Sequence, residues 1–421
     1  MSYPDSVRYL YALGNELRPG AKFGLARMQT LLAELGNPER GQKFIHVAGT
    51  NGKGSTCAMI ANALRLAGYR TGLYTSPHLV QPTERIQVDG QPLPPDDFVR
   101  AFEIIHAAAE KLLETGSLDA HPSYFETVTA MAFVTFRERC DVAVLEVGLG
   151  GRLDATNVVT PRLSVITPVS FDHESFLGNS LESIASEKAG ILKPGVPVVL
   201  ATQPAQAERV ITQRANELAC KFMRAADAQV SNVSATAQSS TFTLDGFEYH
   251  CALAGRHQIE NATTAILSCS QWGLDRAYIQ AGLKNVTWPG RLELISRQPD
   301  FILDGAHNPT GAAALGAYIR EFCHGRRVWM VFGSMRDKAV EEMSAELFPL
   351  AECVILTAPS FPRALRPEAI LAVTEHSNAR IAPSVSDAIA IAQQAPSDAV
   401  VFFAGSLFLV GEVRGLLIGN N

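Results

Sequence analysis

Short apolar runs alternate with amphipathic stretches over most of the chain. Residues 141–147, 163–167 and 196–201 are apolar runs of the kind found in strands that are buried on both faces of a parallel sheet. Residues 96–113 and 124–137 carry apolar side chains at helical spacing, and a Pro-Pro pair precedes the first of these stretches. Because strands and helices alternate in this way, the pattern predicts a doubly wound α/β fold.

The alternation breaks at residues 288–291, Trp-Pro-Gly-Arg, and then starts again. A chain of 421 residues is also too long for one ordinary hydrophobic core. We therefore predict two domains, the first a P-loop-type doubly wound α/β domain and the second a smaller Rossmann-like α/β domain. The predicted divisions are residues 1–287 for the first domain, 288–296 for a linker and 297–421 for the C-terminal domain. Apolar runs that predict strands in the second domain lie at 301–303, 328–332, 353–357 and 400–404.

Two Asp-Gly pairs predict tight turns between antiparallel strands. Residues 85–90 are typical of a strand that ends in the turn Asp89-Gly90. Residues 242–252 contain Asp245-Gly246 and predict a hairpin, which we expect at one edge of the first sheet.

Composition limits the function further. The formal charge is −6 at pH 7, which argues against a general nucleic-acid-binding protein. No apolar run reaches the roughly 18 residues of a membrane span, and residues 1–20 lack the pattern of a secretory signal. The seven cysteines include no Cys-x-x-Cys pair and are typical of reduced thiols. We therefore expect a cytoplasmic protein without membrane or nucleic-acid partners, and we expect a monomer.

The run His-Val-Ala-Gly-Thr-Asn-Gly-Lys-Gly-Ser, residues 46–55, carries the strongest chemical signal. It follows an apolar strand pattern and leads into a helical pattern, so its glycine loop, its lysine and a helix N-terminus come together, as in nucleotide-phosphate sites. The run departs from a standard P-loop, because Val47 occupies the first glycine position and Gly54 separates Lys53 from the hydroxyl of Ser55. The alternative, a simple glycine turn, leaves the lysine unexplained.

Polar residues follow several of the predicted strands, where ligands of open α/β sheets bind. Glu146 ends the apolar run 141–147 and could hold Mg²⁺ beside phosphates, or it could be a solvated carboxylate. His173 could reach the same place or be a structural histidine, and Ser76 is a weak candidate on chemistry alone. Lys188 by itself is typical of a surface lysine, and residues 304–309 could be only a turn.

Six motifs, taken in order, identify a family. Together they resemble folylpolyglutamate synthase, which is often bifunctional with dihydrofolate synthase and belongs to the Mur ligase superfamily. The motifs are His-Val-Ala-Gly-Thr-Asn-Gly-Lys-Gly-Ser (46–55), Thr-Ser-Pro-His-Leu (75–79), Glu-Val-Gly-Leu-Gly-Gly-Arg-Leu-Asp-Ala-Thr-Asn (146–157), Glu-Lys-Ala-Gly-Ile (187–191), Trp-Pro-Gly-Arg-Leu-Glu (288–293) and Asp-Gly-Ala-His-Asn-Pro (304–309).

The resemblance implies roles for particular residues. It makes Lys53, Lys188 and His173 catalytic, with Lys188 as a carbamylated lysine. The implied magnesium ligands are Ser76, Glu146 and His173. The implied ATP contacts are Gly49, Thr50, Asn51, Gly52, Lys53, Gly54, Ser55, Asn261 at the adenine, Arg291 and His307 at the phosphates, and Asp304. The implied folate contacts are Gly24, Leu25 and Arg27 in the loop 23–27, Ser123, Tyr124, Phe125 and Glu126, and Leu153, Asp154 and Ala155.

The resemblance also implies an activity, namely ATP-dependent ligation of L-glutamate to dihydropteroate and to reduced folates through an acyl phosphate. ATP and Mg²⁺ are the expected cofactors, and we also allow for a monovalent cation such as K⁺. ATP is expected between the two domains, which would close around it. The chain departs from the family pattern at Ala339, where Asp is common in an Asp-Lys-Asp motif. The alternatives are a Mur-type cell-wall ligase and an ATP-binding switch that joins nothing.

Overall fold

The computed structural model of the protein describes residues 1–14 and 24–419. The chain divides into two compact units. Unit 1 comprises Met1–Val169, Asn179–Ala228 and Asn261–Asn285, and unit 2 comprises Ser170–Gly178, Gln229–Glu260 and Val286–Asn421. Two segments inside the predicted domain 1–287, residues 170–178 and 229–260, therefore cluster with unit 2.

Strands and helices alternate through the first 228 residues. The strands are β1 (Lys43–Ala48), β2 (Thr71–Tyr74), β3 (Ile86–Val88), β4 (Gln91–Pro92), β5 (Val142–Glu146), β6 (Leu163–Ile166), β7 (Val198–Leu200) and β8 (Phe222–Arg224). The helices are α1 (Tyr3–Leu13), α2 (Ala26–Glu34), α3 (Lys53–Leu66), α4 (Pro95–Glu114), α5 (Tyr124–Arg139), α6 (Glu174–Leu177), α7 (Leu181–Ala189) and α8 (Ala205–Glu217).

The rest of the chain repeats the alternation after a short all-β segment. The strands are β9 (Val230–Ala235), β10 (Ser240–Leu244), β11 (Phe247–Cys251), β12 (Glu293–Ser296), β13 (Asp300–Leu303), β14 (Val328–Phe332), β15 (Cys353–Leu356), β16 (Ala379–Ile381) and β17 (Val400–Ala404). The helices are α9 (His257–Trp272), α10 (Arg276–Lys284), α11 (Pro309–Phe322), α12 (Val340–Leu347), α13 (Pro367–Leu371), α14 (Val385–Ala392) and α15 (Leu407–Ile418).

Unit 1 is built on an eight-stranded sheet in the order β4-β3-β2-β5-β1-β6-β7-β8. From β2 to β8 all neighbours are parallel, and β3 and β4 form an antiparallel edge. Every residue of β2, β5 and β6 is buried, as expected for strands covered on both faces. The apolar runs at 141–147 and 163–167 were therefore correctly predicted as buried parallel strands.

Helix α3 begins at the glycine loop and packs against β1, β2, β5 and α10. Ten of its fourteen residues are buried, so it is a core helix with little polar surface. A larger cluster of buried side chains lies among α1, α2, α4 and α5, where the rings of Phe44 and Phe133 meet edge to face at 5.6 Å. The core of unit 1 therefore supports the helix that starts at the candidate site.

Unit 2 contains a six-stranded sheet in the order β12-β13-β17-β14-β15-β16, in which only β12 runs antiparallel to its neighbour. Strand β12 lies within the predicted linker 288–296, so that segment contributes to the sheet. Strands β9, β10 and β11 form a separate antiparallel sheet. The prediction of a hairpin at 242–252 is confirmed, but its expected position at an edge of the first sheet is wrong. Strand β10 of the hairpin pairs with β9 instead.

The predicted fold class is confirmed, because both units are α/β with mainly parallel sheets. In the part of the chain that the structure describes, no helix is long and apolar enough to cross a membrane.

A tight contact between α3 and α10 predicts a sensitive position. A Cβ atom at Gly282 would lie 2.7 Å from both Cα and Cβ of Ala63, and Asn62 Nδ2 donates to the Gly282 carbonyl at 2.8 Å. We expect Gly282→Val to destabilise unit 1, because overpacking costs about 1–3 kcal/mol, more than the few tenths gained in helix propensity. Thermal unfolding should show a midpoint lower by several degrees. Lys284→Val, on the exposed end of the same helix, is the matched control, and equal midpoints for the two variants would contradict the prediction.

Candidate functional site

The carboxyl ends of three neighbouring strands meet at one edge of the unit 1 sheet. Strand β5 lies between β2 and β1, with Leu145 aligned to Tyr74 and Glu146 aligned to Val47. The segments that follow these strands are residues 49–55, 75–79 and 146–157. Parallel pairing therefore brings three of the six sequence motifs to one place.

The predicted phosphate-binding segment, residues 49–55, joins β1 to the first turn of α3 and is called the phosphate loop below. Lys53 is the first residue of α3, and its Nζ donates to the carbonyl of Thr50 at 3.1 Å. The backbone N–H groups of Thr50 and Asn51 both donate to the carbonyl of Pro168, at 2.9 and 3.2 Å. Those two N–H groups are committed to the fold, so the N-terminus of α3 and Lys53 are the groups that could attract an anion here.

Two glycines of the loop are required by close contacts. Gly49 has φ +148°, and a Cβ atom there would overlap Thr167. Gly52 has φ +82°, and a Cβ atom there would overlap the Oδ1 atom of Asn261. A side chain at either position would be strained and displaced. Asn261, the predicted adenine contact, therefore packs against the phosphate loop.

Ser76 and Glu146 lie together at the same edge. The backbone N–H of Ser76 donates to Oε2 of Glu146 at 3.1 Å, and the carboxylate is buried. A hydroxyl and a carboxylate are oxygen ligands of the kind that Mg²⁺ prefers, so this pair fits the predicted metal. Among the described residues, no group of three or more His, Cys, Asp or Glu is arranged to hold a metal ion. The predicted ligands Ser76, Glu146 and His173 include only two residues of those four types, so this absence does not bear on them.

Lys188 is buried in the last turn of α7 and reaches the phosphate loop. Its Nζ donates to the Gly49 carbonyl at 2.9 Å. The neighbouring Glu187 pairs with Arg152 at 2.9 Å, and a Cβ atom at Gly151 would lie 2.8 Å from the Glu187 carbonyl oxygen. These contacts hold α7 against the loop after β5 and exclude the surface-lysine alternative for Lys188.

The predicted folate-binding loops pack against one another in unit 1. Ser123 and Glu126 form a capping box at the start of α5, and Arg27 Nη1 donates to Glu126 Oε2 at 3.1 Å. The ring of Phe125 lies so close to Gly148 that a Cβ atom there would be 2.6 Å from Cζ. Arg27 thus joins the loop 23–27 to the second loop, and Phe125 joins the second to the third. Phe23 lies outside the described residues.

Asp154 ties down the third of these loops. Its Oδ2 accepts hydrogen bonds from the backbone N–H groups of Gly148 and Leu149, each at 2.9 Å. Its Oδ1 accepts from the N–H and the hydroxyl of Thr156, and that hydroxyl also contacts the buried His46 at 2.8 Å. Burial raises the pKa of Asp154 despite these bonds. Asp154 therefore has a structural role in addition to its predicted folate contact.

In unit 2, Asp172 is the centre of a polar cluster. Its carboxylate contacts Lys338 Nζ at 2.5 Å, Asn308 Nδ2 at 3.1 Å and His307 Nε2 at 3.5 Å. Burial opposes ionisation of Asp172, but the contact with His307 and the charge of Lys338 outweigh it and hold the pKa well below its usual range. Burial and the charge of Lys338 lower the pKa of His173 to about 4, so its ring is neutral near pH 7.

The other predicted nucleotide contacts of unit 2 lie around β13. Asp304 follows this strand and accepts hydrogen bonds from the N–H groups of Leu292 and Ala306, both at 3.0 Å. The guanidinium of Arg291 packs so closely on Gly305 that a Cβ atom there would overlap it. Nδ1 of His307 donates to the Gly305 carbonyl at 2.7 Å, which fixes the orientation of the ring.

The structure places the predicted site residues in two sets. The phosphate loop, Ser76, Glu146, Lys188 and Asn261 belong to unit 1, whereas His173, Arg291, Asp304 and His307 belong to unit 2. The assignment of His173 to the same metal as Ser76 and Glu146 therefore stays a prediction.

Sequence reasoning missed several buried polar residues. Asp172 immediately precedes His173, and Lys338 stands in the motif that departs from the family at Ala339, so both had a local signal. Arg85 had none: it is buried, its Nε donates to His78 Nδ1 at 2.8 Å, and its guanidinium lies 5.1 Å from the centroid of the Tyr124 ring. Only the packing of the folded chain brings Arg85, His78 and Tyr124 together.

Family models match both parts of the chain. The Mur ligase middle domain matches residues 47–269, and the Mur ligase glutamate ligase domain matches residues 290–407. A relative from Bacillus subtilis named dihydrofolate synthase/folylpolyglutamate synthase is 36% identical over 429 residues, covering 98% of each chain. Folylpolyglutamate synthase of Lacticaseibacillus casei is 35% identical over 434 residues, covering 100% of each chain.

Solved structures agree with the sequence relatives. Folylpolyglutamate synthase of Mycobacterium tuberculosis, complexed with ADP and AMPPCP, is 32% identical with a TM-score of 0.92 and full coverage of both chains. E. coli FolC, solved in complex with DHPP and ADP, is 31% identical with a TM-score of 0.86, covering 98% of this chain and 97% of that chain. Because sequence, domain models and fold agree along the whole length, the chain belongs to the folylpolyglutamate synthase/dihydrofolate synthase family of Mur ligases.

Proposed function

We propose that this protein is an ATP-dependent ligase that joins L-glutamate to dihydropteroate and to reduced folates through an acyl phosphate. The observation that carries the proposal lies in unit 1. It is the arrangement of the phosphate loop, the Ser76–Glu146 pair and the predicted folate-binding loops, which pack against one another. Glu146 ends β5, and the loop that follows it carries the predicted folate contacts Leu153, Asp154 and Ala155. The printed names of the relatives, and the ADP and DHPP complex of E. coli FolC, support the same activity.

The chemistry explains why ATP is needed. A carboxylate does not condense with an amine at neutral pH, because its oxygen is a poor leaving group. In the proposed reaction a substrate carboxylate oxygen attacks the γ-phosphorus of ATP, and ADP leaves. The amino nitrogen of glutamate then attacks the carbonyl carbon, the bond from that carbon to the phosphate oxygen breaks, and the nitrogen loses a proton. The products are the amide, ADP and inorganic phosphate.

Lys53 and the N-terminus of α3 are the groups of this chain that stabilise the transferring phosphoryl group. The lysine contributes a full positive charge, and the helix end contributes a partial one beside it. Both are fixed before substrate binds, because α3 is packed into the core of unit 1. Such preorganised groups act without reorganisation during the reaction.

Ser76 and Glu146 would hold Mg²⁺, and His173 is the third proposed ligand. When bound, Mg²⁺ offsets the negative charge that the triphosphate and the transition state carry. Asn261 in unit 1 and Arg291, Asp304 and His307 in unit 2 are proposed as further contacts to ATP. The use of a monovalent cation such as K⁺, a cytoplasmic location and a monomeric state remain predictions.

One assay separates the proposed function from its alternatives. The protein is incubated with ATP, L-glutamate and one acceptor, either dihydropteroate, tetrahydrofolate or a muramoyl peptide, and products are identified by mass spectrometry. We expect one glutamate to be added to each pterin, with stoichiometric ADP. Product with tetrahydrofolate alone would show that the protein lacks dihydrofolate synthase activity. Product only with a muramoyl-peptide acceptor would favour the cell-wall ligase, and the absence of amide and phosphate release would favour the switch.

The proposed role of Lys53 predicts a loss of turnover without loss of fold. We expect Lys53→Ala to lower kcat by about 10²–10³-fold, as for other preorganised contacts to transition-state charge. The rate of ADP formation measures the effect, and thermal unfolding checks the fold. Lys43→Ala, an exposed lysine at the start of β1, is the matched control and should keep normal turnover. Near-normal ADP formation by Lys53→Ala would exclude the assignment.

Lys188, which is buried beside the Gly49 carbonyl, is predicted to carry a carbamate. We expect protein equilibrated with ¹³C-bicarbonate to show a carbamate resonance by NMR. The resonance should disappear in Lys188→Ala and persist in Lys221→Ala, a control at an exposed lysine. Identical spectra for the wild type and Lys188→Ala would show that Lys188 is not the modified residue.

A further inference from the structure

Arg85 is a buried cation that no carboxylate in the described part of the chain neutralises. The residue is only 8% exposed. In residues 1–14 and 24–419, no Asp or Glu oxygen lies within ion-pair distance of its guanidinium. Arginine is seldom buried unless it is paired, because moving an unpaired charge out of water costs free energy. The charge of Arg85 therefore lacks the partner that a buried arginine usually has.

The groups around the guanidinium are neutral. Its Nε donates to Nδ1 of His78 at 2.8 Å, so that ring nitrogen carries a lone pair and the imidazole is uncharged. The guanidinium carbon lies 5.1 Å from the centroid of the Tyr124 ring, on which the Tyr11 ring stacks. The Tyr124 hydroxyl is buried near Arg85 and forms no well-aligned hydrogen bond with a described residue. The terminal Nη1 and Nη2 atoms of Arg85 thus remain as donors for a ligand.

Two acids of the neighbouring loops already have their oxygen atoms occupied. Glu84 directly precedes Arg85, and its carboxylate accepts hydrogen bonds from the backbone N–H groups of residues 79–81 at 2.8–3.0 Å. Asp154 accepts two hydrogen bonds at each oxygen, as described above. Neither carboxylate is left to pair with Arg85.

Arg85 contacts both the segment with the predicted metal ligand and a predicted folate-binding loop. Its backbone carbonyl accepts a hydrogen bond from the N–H of Thr75, the residue before Ser76, at 3.0 Å. Its side chain lies on Tyr124, a predicted folate contact. All of these residues belong to unit 1. A substrate that reaches from the folate-binding loops to the Ser76–Glu146 pair would therefore pass Arg85.

We propose that Arg85, together with the Tyr124 hydroxyl, binds the unreacted carboxylate of the terminal glutamate in a reduced-folate acceptor. This inference rests on the proposed function, in which the other carboxylate of that glutamate attacks ATP. The two carboxylates belong to one small residue, so both must lie near the reacting centre. A guanidinium holds a carboxylate through two parallel N–H groups.

The same contact would distinguish the two acceptors of the proposed reaction. Dihydropteroate ends in a single carboxylate, which is the group that reacts, so it offers Arg85 no second anion. Arg85 should therefore contribute to the binding of folates and contribute little to the binding of dihydropteroate. A purely structural role for Arg85 would change the binding of both acceptors alike.

The KM values for the two acceptors test this assignment. ADP formation is measured at saturating ATP and L-glutamate. We expect Arg85→Gln to raise the KM for tetrahydrofolate about 10–100-fold, because hydrogen bonds to a charged group are lost, and to change the KM for dihydropteroate less than about 3-fold. Arg85→Lys keeps the charge and should recover part of the loss. Arg162→Gln, at an exposed arginine of unit 1, is the control and should match the wild type with both acceptors.

A binding measurement makes the same comparison without turnover. Dihydrofolate and dihydropteroate share the pterin and benzoyl groups and differ by one glutamate. Their affinities are measured by calorimetry in the presence of AMPPCP. We expect dihydrofolate to bind about 10–100-fold more weakly to Arg85→Gln and about 3–10-fold more weakly to Tyr124→Phe, which keeps the ring and loses the hydroxyl. Dihydropteroate should bind both variants as it binds the wild type.

The outcomes separate this inference from the proposed function. If the wild type forms no amide with either acceptor, the proposed function fails. If the wild type forms an amide but Arg85→Gln changes the KM and the affinity equally for both kinds of acceptor, or for neither, only the role of Arg85 is excluded. Thermal unfolding of each variant checks that the fold is retained.

Discussion

Parallel hydrogen bonding between β2, β5 and β1 is the constraint on which the candidate site depends. In parallel strands the carboxyl ends lie at the same edge, so the chain leaves all three strands toward one place. The register sets Glu146 beside Val47, directly before the phosphate loop, and Leu145 beside Tyr74, directly before the segment with Ser76. The phosphate loop and the predicted metal ligands of unit 1 are therefore positioned by the backbone, with no need for long side chains.

Tight packing then fixes the loops that leave this edge. Glycines at positions 49, 52, 148 and 151 allow contacts that a Cβ atom would prevent. The neighbours include Thr167, Asn261, Phe125 and the backbone of α7, so separate parts of unit 1 meet at these glycines. Asp154 adds backbone hydrogen bonds within the loop after β5. Such packing gives a rigid frame, which suits a site that must stabilise charge without reorganising.

Charge in unit 2 is organised differently. Asp172 is buried and is satisfied by Lys338, Asn308 and His307, which come from the segments after β13 and β14. A buried carboxylate costs free energy unless it is paired in this way, and removing one partner is far more costly than losing a surface ion pair. This network ties the short segment 170–178 to the body of unit 2. It explains why a segment from the first half of the chain, with His173, clusters with the second half.

The sequence alone determined the α/β class, the buried strands and the identity of the family. Apolar runs and glycine motifs are local signals, and their physical meaning does not depend on distant residues. The tertiary structure decided the features that depend on contacts between residues distant in the sequence. The hairpin at 242–252 pairs with β9 because the backbone groups of an edge strand need hydrogen-bond partners. No local pattern in the sequence shows which strand provides them. Segment 170–178 joins unit 2 because Asp172 finds its partners more than 130 residues away. His173 likewise lies near Lys338 and Asp337, and these contacts exist only in the folded chain.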